Sequence, residues 1–473
     1  MHTRRSFLGW GSSAIVLASG GGAFAGEGFR DFYVNPEGDD NDSGQSPGTA
    51  WASASKVDSY SFAPGDKVHF LRGATFYGTV GVARPRIEDG PMAEMRAYGE
   101  GSRSNLPKLS FYKSILPSAW VDQGGGVWCV EINNPASING NTRTLGPEGA
   151  NIGKLKVDGL LKANKKAQLA DLRDDWDFYS DGARYLFVRS DRRPGERAAE
   201  ILASPRGTVL RNEGSILYRD LEILGAGGHG AKWLAQRAID MRGCHIHEIG
   251  GSYLQDMTRY GNGAEIWVNC QNITISDCLF GDVYDSATTM QGFPITKPSD
   301  GWDNIRIDDN WAYACSQAFE VWARYGATPG AGVCPPGSGF RHTSSRRWVL
   351  FDIGRGPLSA VRPSRVGIAP FLIYAIECPQ TEIAVSVARM RNSGERFIAY
   401  PQYASGKFPA GYVVEPSTIE LQPGGEPISG WGRVEAQRTM RPKSGLLAGS
   451  TLVLKGGQAR MDKQEIVRLW SQS

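Results

Sequence analysis

The chain has 473 residues, of which 52 are Lys or Arg and 49 are Asp or Glu, so its formal net charge is only +3. A charge this small gives no support for a nucleic-acid partner or for a strongly acidic surface partner. The 60 glycines and 13 tryptophans are typical of a turn-rich β protein and not of a helical one.

The first 25 residues have the pattern of an export signal. The segment Thr3–Leu8 (TRRSFL) resembles a twin-arginine motif, a weakly apolar stretch follows from Trp10 to Ser19, and Ala23–Ala25 (AFA) is typical of a cleavage site. No later segment approaches the roughly 18 apolar residues that a membrane span requires. We therefore expect residues 1–25 to be a signal peptide, and the mature protein to be periplasmic or secreted without a membrane span.

Residues 26–77 are predicted to form an N-terminal cap and a first coil. Phe32–Val34 is typical of a strand, and Asn35–Gly44, which is rich in Asp, Asn and Gly, is typical of a turn cluster. A calcium loop is the alternative interpretation of this acidic turn. The closing Glu of an EF-hand is missing, however, and Asx-turns explain the Asp and Asn residues without a metal. We expect no cofactor, with Ca²⁺ as the open alternative.

Residues 78–211 follow no repeat and are predicted to form a β-rich insert. Val127–Val130, Leu155–Gly159 and Arg184–Val188 are typical of strands, and Gly and Asp turns separate them. Insertions on one face of a repeat structure commonly form the wall of a binding groove. We expect this insert to form such a wall.

Four segments between residues 215 and 322 share one template. Each has two apolar residues two positions apart, then a ladder residue three positions on, then another apolar residue. The ladder residues are Leu221, Cys244, Cys278 and Asn310, separated by steps of 23, 34 and 32 residues. Alternating apolar positions predict short strands with one buried face, and their recurrence at a fixed point predicts a solenoid of stacked coils.

This repeat resembles a right-handed parallel β-helix of the pectate-lyase-like kind. The resemblance implies an all-β fold, with a right-handed single-stranded parallel β-helix over residues 212–460 whose inserted loops form a groove. Residues 461–473, where Ile466, Val467 and Trp470 share one helical face, are predicted to form a capping helix on the last coil. Pectate-lyase-like helices host lyases, hydrolases, epimerases and non-catalytic proteins, so the resemblance implies a fold and no single reaction.

The chain has seven cysteines, so they cannot all pair with one another. Cys244 and Cys278 occupy the same ladder position in successive coils, about 4.8 Å apart by strand spacing. That separation permits a disulfide. Stacked free thiols that fill a turn are the interpretation we favour.

Two Glu-x-Trp motifs mark the candidate site. Strand alternation turns Glu265 and Trp267 outward together, and Glu320 and Trp322 likewise, because their apolar neighbours take the buried face. A carboxylate beside an indole suits a sugar, since the ring stacks on the C–H faces of a pyranose while the acid addresses its oxygens. In the alternative interpretation, the tryptophans pack under the inserted loops and the glutamates are solvated.

Glu265, Asp285 and Glu320 are the candidate catalytic acid and base. Glu265 and Glu320 lie two coils apart, so their backbones are about 9.6 Å apart, which suits the carboxyl separation of an inverting glycosidase. Asp285 lies on the coil between them, and a one-coil gap of about 5 Å suits a retaining pair. Both arrangements remain open at the level of sequence.

The same groove is predicted to hold further substrate-binding side chains beside Trp267 and Trp322: His229, Lys232, Arg259, Tyr260, Tyr284, Gln291 and Gln317. The basic and phenolic members also suit a polysaccharide lyase, which needs a base and a cationic clamp on a uronate carboxylate. His245 and His247 share a strand face, but no third ligand is evident, so no metal site is predicted.

The sequence therefore favours an exported, monomeric enzyme that degrades a polysaccharide or oligosaccharide, with a glycoside hydrolase as the leading hypothesis. A polysaccharide lyase or uronate epimerase, acting by proton abstraction, is the alternative hypothesis. A non-catalytic glycan-binding protein is the third.

Overall fold

The computed structural model describes residues 29–82, 90–140, 147–212, 214–254, 257–328, 330–362, 368–391, 394, 396–401, 411–423, 425–431, 445–455 and 459–473. The predicted signal peptide at residues 1–25 lies outside this part of the chain. Within it, no helix has the length and apolar character needed to cross a membrane. Strands dominate and large parallel sheets run through the molecule, so the predicted all-β fold of stacked parallel coils is confirmed.

The N-terminal part begins the stack of coils with these elements: β1 Asp31–Val34, α1 Ala54–Ser59, β2 Lys67–Leu71, β3 Thr75–Tyr77, β4 Val80–Val82, β5 Ala93–Tyr98 and β6 Lys108–Ser110. The side chain of Ser53 caps α1 by accepting the backbone N–H of Lys56 at 3.0 Å. Asp40, from the acidic turn, accepts the backbone N–H groups of Ala52 and Ser53. This carboxylate of the turn therefore helps to start the helix.

The insert folds as two antiparallel sheets around a hydrophobic core of its own. Its elements are β7 Lys113–Ile115, β8 Val121–Asp122, β9 Val127–Glu131, β10 Ile138–Gly140, β11 Ile152–Val157, β12 Leu160–Lys162, β13 Phe178–Ser180, β14 Tyr185–Arg189, α2 Pro194–Arg197 and β15 Ile201–Pro205. Strands β4, β5 and β6 pair in parallel with solenoid strands. The insert is thus shorter than the predicted 78–211, and both ends of that range belong to coils.

The main stack of coils consists of β16 Thr208–Asn212, β17 Ile216–Arg219, β18 Glu222–Leu224, β19 His229–Trp233, β20 Ile239–Arg242, β21 His245–Ile249, β22 Ser252–Tyr253, β23 Arg259–Tyr260, β24 Ala264–Ile266, β25 Gln271–Ser276, β26 Leu279–Val283, β27 Ser286–Gly292, β28 Gly301–Asp308, β29 Trp311–Tyr313, β30 Gln317–Ala323, β31 Gly339–Phe351, α3 Pro357–Ala360, β32 Phe371–Ile376, β33 Gln380–Arg391 and β34 Arg396–Pro401. All but the β22–β23 hairpin and α3 belong to the parallel sheets. The last coils add β35 Tyr412–Val414, β36 Thr418–Leu421, β37 Glu426–Trp431 and β38 Thr451–Leu454.

The coils stack in the register that the repeat predicts. Strands β17, β20, β25 and β28 pair in parallel, with Ile216, Ile239, Ile273 and Ile305 opposite one another. On another side of the stack, β16, β19, β24, β27, β30 and β32 also pair in parallel. Inward-facing residues from both sets form one continuous hydrophobic core, as a solenoid requires.

A left-handed backbone residue precedes each ladder residue. The φ angle is 53° at Asp220, 62° at Gly243, 53° at Asp277 and 61° at Asp309. Gly and Asp enter this conformation at lower cost than most residues do. The sequence therefore repeats not only its apolar positions but also the residue types that turn the chain between strands.

The ladder position itself is buried in all four coils. The Asn310 side chain accepts the backbone N–H of Cys278 at 3.0 Å and donates to the carbonyl of Ile275 at 2.8 Å, which satisfies groups that the turn leaves unpaired. Cys244 and Cys278 are free thiols, as predicted. Burial is the main cause that raises the pKa of the Cys278 thiol.

The C-terminal helix α4 spans Lys463–Ser471. Its buried residues Ile466 and Trp470 pack with Leu279 and Tyr313. These partners belong to middle coils, so the prediction that the helix caps the last coil is corrected: the helix lies against the flank of the stack. The reason is an apolar patch on the outer faces of β26 and β29, which the helix covers.

Candidate active site

Four side chains lie in register on the outer face of the second set of strands. Lys232 of β19 is opposite Glu265 of β24, Glu265 is opposite Thr289 of β27, and Thr289 is opposite Glu320 of β30. Their chain neighbours, such as Ala264, belong to the solenoid core. Strand alternation therefore turns both glutamates away from that core. We call Lys232, Glu265, Thr289 and Glu320 the carboxylate column.

Glu265 is only 2% exposed and is surrounded by donors. Its Oε2 atom contacts His229 Nε2 at 3.0 Å and accepts a hydrogen bond from Asn262 Nδ2 at 3.1 Å. The Lys232 ammonium lies 2.8 Å from Oε1. This last contact is an ion pair and not a directed hydrogen bond, because Oε1 has no partner in hydrogen-bond geometry.

The tautomer of His229 follows from its second nitrogen. The backbone N–H of Asn262 donates to Nδ1 at 3.2 Å, so Nδ1 is an acceptor and the ring proton is on Nε2, facing Glu265. Burial alone raises the pKa of Glu265, but His229 and Lys232 outweigh it and hold that pKa well below its usual range. Glu265 is therefore an anion across the whole physiological pH range.

Glu320 has the opposite environment. It is 7% exposed, and Ser286 Oγ lies within hydrogen-bond distance of its Oε2, at 3.2 Å. Burial, and next the negative charge of Asp285, raise the pKa of Glu320 to about 8. Arg362 and Ser286 act in the other direction but are weaker. Glu320 is therefore largely protonated at neutral pH and is able to donate a proton.

Asp285 stands at the turn just before β27, one coil before the strand that carries Glu320. Its carboxylate forms an ion pair with Arg362, whose Nη1 atom also donates to the carbonyl of Tyr284 at 3.3 Å. Arg362 comes from the segment that follows α3. Asp285 thus has a fixed cationic partner, and its negative charge acts on Glu320.

Trp267 and Trp322 lie beside the column in an aromatic cluster that also contains Phe293. The two indoles are T-shaped with ring centroids 5.6 Å apart, and Phe293 lies 5.9 Å from Trp267 and 6.1 Å from Trp322. Trp322 Nε1 donates to Gln291 Oε1 at 2.7 Å. All four residues are partly exposed, so the cluster forms part of the surface next to the carboxyl groups.

Cations lie over the indole faces of this cluster. Lys232 Nζ is 4.9 Å from the Trp267 ring centroid, and the Arg324 guanidinium is 4.5 Å from that of Trp322. Lys232 therefore joins the aromatic cluster to the column, because the same ammonium contacts Glu265. A sugar that stacks on either indole has to displace or share the face with a cation.

The hairpin β22–β23 fastens the insert to the coils. The Arg259 guanidinium donates to the carbonyls of Gly251 at 2.9 Å and Gly153 at 3.1 Å, and it lies over the Tyr284 ring. Tyr260 accepts a hydrogen bond from Arg206 Nε at 3.0 Å, and its ring packs edge-on against His229. Arg259 thus holds two parts of the structure together, while Tyr260 lies next to the site.

Two other predicted substrate-binding residues are buried. Tyr284 is 2% exposed and is packed between Arg259 and Arg362, and Gln317 is fully buried, where its Oε1 accepts from Ser286 Oγ at 3.1 Å. Gln317 therefore orients the serine that contacts Glu320. Lys232, Tyr260, Trp267, Gln291 and Trp322 remain exposed enough to touch a ligand.

Sequence reasoning missed several residues of the site: Asn262, Ser286, Thr289, Phe293, Arg324 and Arg362. Thr289 was available from the coil register, since it falls opposite both glutamates. Asn262 stands three residues before Glu265 and also accepts the N–H of Ser286 at 3.1 Å, so it links two coils. Arg362 has no register position, and no pattern in the sequence points to it.

No protein-family model matches the chain, and no curated protein matches it. Among solved structures, it is similar to the complex of XylC with xylose, at 10% identity and a TM-score of 0.46, covering 85% of this chain and 70% of that one. A structure described as a glycoside hydrolase gives 10% identity and a TM-score of 0.44, covering 93% and 98%. The native lacto-N-biosidase of family GH136 from Eubacterium ramulus gives 12% identity and a TM-score of 0.41, covering 90% and 68%.

Proposed function

We propose that the chain is an exported glycoside hydrolase that cleaves a polysaccharide or oligosaccharide, with Glu320 as general acid and Asp285 as nucleophile. The observation that carries this proposal is the pairing of two carboxyl groups whose surroundings give them different roles. Glu320 is buried, and its pKa is raised to about 8, while Asp285 is paired with Arg362. An acid and an anion side by side are what glycosidic cleavage uses.

In the first step, the Glu320 carboxyl group transfers its proton to the glycosidic oxygen as the bond from that oxygen to the anomeric carbon breaks. An oxygen of Asp285 forms a bond to the anomeric carbon. In the second step, the Glu320 carboxylate takes a proton from a water molecule, whose oxygen bonds to the anomeric carbon and releases Asp285. Asp285 and Glu320 stand on neighbouring coils, and Asp285 is near enough for its charge to raise the pKa of Glu320. A close pair of this kind suits the retaining sequence.

Glu265 has a different role in this proposal. Its two oxygens are already engaged by Lys232, His229 and Asn262. It is a fixed anion that positions Lys232 against Trp267 and the substrate, and it exchanges no proton. The same contacts weigh against the lyase hypothesis, because Lys232 and His229, two of its candidate bases, are both held by Glu265.

The proposal is tested by incubating the full chain with a panel of neutral and uronic polysaccharides and following product mass and ultraviolet absorbance. We expect products that have gained water, with the anomeric configuration retained in the first product seen by NMR. E320Q and D285N should each lower the rate by about 10²–10⁴-fold. E94Q is the matched control, since Glu94 is also a buried glutamate beside arginines, Arg96 and Arg219, but lies on another sheet.

The possible outcomes separate the hypotheses. Unsaturated products that absorb in the ultraviolet identify a lyase and overturn the proposal. Inverted products keep the hydrolase but make Asp285 a base that activates water. Glycan binding without any turnover, unchanged in both carboxyl variants and lost only in W267A and W322A, identifies a glycan-binding protein.

A further inference from the structure

A second polar cluster lies on a different face of the coils, away from the carboxylate column. Glu222, His245 and His247 each offer one ligand atom, and these three atoms all lie within 4.8 Å of one another. Both histidines are buried and Glu222 is half-buried. We call these three residues the His–Glu cluster. Sequence reasoning found the two histidines without a third ligand, and Glu222 is the residue that it missed.

Coil stacking brings the three residues together. Glu222 of β18 is directly opposite His245 of β21, and His247 follows two residues later on the same outer face. The two imidazole rings are stacked with centroids 4.1 Å apart, and His247 Nε2 lies 2.9 Å from Glu222 Oε1. Two histidines at i and i+2 on a strand, with a carboxylate from the neighbouring strand, form a donor set that Zn²⁺ and similar ions prefer.

Tyr313 packs beside His245. Gly281 stands opposite His247 on the next strand, and a Cβ atom there would lie 1.9 Å from the Tyr313 ring. The absence of that side chain lets Tyr313 cross the strand and bring its hydroxyl group to 3.3 Å from His245 Nε2. The Tyr313 hydroxyl group therefore contacts the cluster through His245.

His247 Nδ1 faces a carboxylate at more than hydrogen-bond distance. Among the described residues this buried nitrogen has no partner in hydrogen-bond geometry, and Glu248 Oε1 lies 3.6 Å away. If Nε2 donates to Glu222, Nδ1 presents a lone pair toward this carboxylate, which is an unfavourable arrangement. If Nε2 binds a cation, the proton moves to Nδ1 and faces Glu248, which is the carboxylate partner that metal-bound histidines usually have.

Glu248 is itself held firmly in place. Lys156 of the insert contacts its Oε1 at 2.9 Å, Lys463 of α4 contacts the same atom at 3.2 Å, and the Tyr112 hydroxyl donates to Oε2 at 2.9 Å. The insert and the C-terminal helix thus converge on the carboxylate behind His247. A cation in the cluster would connect the coils to both of these peripheral parts.

We propose that the His–Glu cluster is a binding site for a divalent transition-metal ion of the Zn²⁺ class. The ion is held by Glu222, His247 Nε2 and the His245 imidazole, with Glu248 as the partner of His247. It is a structural site, because it lies on strands β18 and β21 and shares no residue with the carboxylate column. The competing state is an ion-free cluster in which His247 bridges Glu222 and Glu248.

The test uses the full chain without an affinity tag, stripped with a chelator and dialysed. Zn²⁺ is titrated by calorimetry, and Co²⁺ is added separately to record its visible absorption. We expect one equivalent of Zn²⁺ per chain, a Co²⁺ spectrum of low coordination number, and a rise in Tm with Zn²⁺, since a ligand that binds only the folded state stabilises it. Sub-stoichiometric binding together with a spectrum of hydrated Co²⁺ would overturn the proposal.

Substitutions in the His–Glu cluster test whether Zn²⁺ binds there. H247Q and E222Q should weaken Zn²⁺ binding by at least about tenfold, and E248Q by about 10–100-fold, as losses of partners around metal ligands do. H69Q is the matched control, because His69 pairs with Asp31 at 2.7 Å on strands β1 and β2 but belongs to no such cluster among the described residues. Equal Zn²⁺ affinity in wild type and in the folded cluster variants contradicts the site. If a variant fails to fold, the wild-type stoichiometry and Co²⁺ spectrum still decide.

Discussion

The two glutamates of the carboxylate column differ more in chemistry than in position. Glu265 and Glu320 stand in the same register, two strands apart on one sheet, and both are almost fully buried. Glu265 meets an ammonium, an imidazole and an amide, and its pKa lies well below the usual range. Glu320 meets one hydroxyl group and a neighbouring carboxylate, and its pKa is raised to about 8. The repeat therefore sets where a carboxyl group stands, and residues outside the repeat decide whether it holds a proton.

The difference arises because burial penalises charge at both positions, and only one position has cations close enough to overcome that penalty. Near Glu265, both cationic side chains come from the preceding coil strand: Lys232 is directly in register, and His229 lies three residues before it. At the Glu320 end, the nearby cation is Arg362, which is already paired with Asp285. The negative charge of Asp285 therefore raises the pKa of Glu320, and no unpaired cation among the described residues nearby offsets this effect. A raised pKa is what an acid catalyst requires.

The largest expected effect is on stability, where the two glutamates should behave in opposite ways. The folded-state pKa of Glu320 is raised, so its burial costs stability as pH rises from the unfolded value of about 4.5 to about 8. E320Q removes this cost and should raise the free energy of unfolding above pH 8 by on the order of 2–5 kcal/mol. The measurement is urea unfolding at several pH values.

Glu265 has a lowered folded-state pKa, so it contributes stability above its unfolded value and loses it only as pH falls through the folded one. E265Q should therefore lower the free energy of unfolding at neutral pH by roughly 2–4 kcal/mol, discounted because Lys232 is partly exposed. Equal changes of the same sign in the free energies of unfolding of E265Q and E320Q would show that the two environments are alike. That result would contradict this account.

A smaller effect is expected from substitution of Arg362, which lowers the pKa of Glu320. R362Q should lower kcat about 100-fold, since Asp285 loses its partner. It should also move the basic limb of the pH–rate profile upward, because the arginine normally lowers the pKa of Glu320. R362K retains the positive charge, so it should recover part of kcat and part of the original position of the basic limb. A loss of kcat with no change in the basic limb would make Arg362 only a structural residue.

The smallest expected effect concerns the aromatic cluster beside the carboxylate column. W322A should raise KM about tenfold with little change in kcat, because a stacking surface binds ground state and transition state alike. F371L, at a core position of β32 beside β30, is the control for packing. An equal fall in kcat and kcat/KM in W322A would instead assign the indole to the chemical step.

Much of the fold follows from local patterns in the sequence. The ladder residues Leu221, Cys244, Cys278 and Asn310 fix the coil register, and the Asp or Gly before each of them matches the left-handed turn that the structure contains. The helix α4 was predicted from its apolar face, but its docking on the flank was not, because an apolar face does not specify its partner. The sequence of the insert contains no repeat, so its two sheets and its limits are known only from the strand pairing in the structure.

The coil register made part of the candidate site predictable from the sequence. Glu265, Glu320 and their tryptophans follow from strand alternation, and Glu222 could have been found in the same way, since it follows Leu221 as His245 follows Cys244. Arg362 and Arg324 come from irregular segments and have no such signal. The different proton affinities of the two glutamates depend on these residues and on burial, which no spacing in the sequence encodes.

The central claim is that Glu320 holds a proton at neutral pH while Glu265 does not. Infrared difference spectra recorded on either side of pH 8, with E320Q and E265Q as references, measure this directly. We predict a protonated carboxyl band that disappears as pH rises through about 8, is absent in E320Q and is unchanged in E265Q. A band that persists in E320Q, or no protonated carboxyl group at neutral pH, would contradict the account.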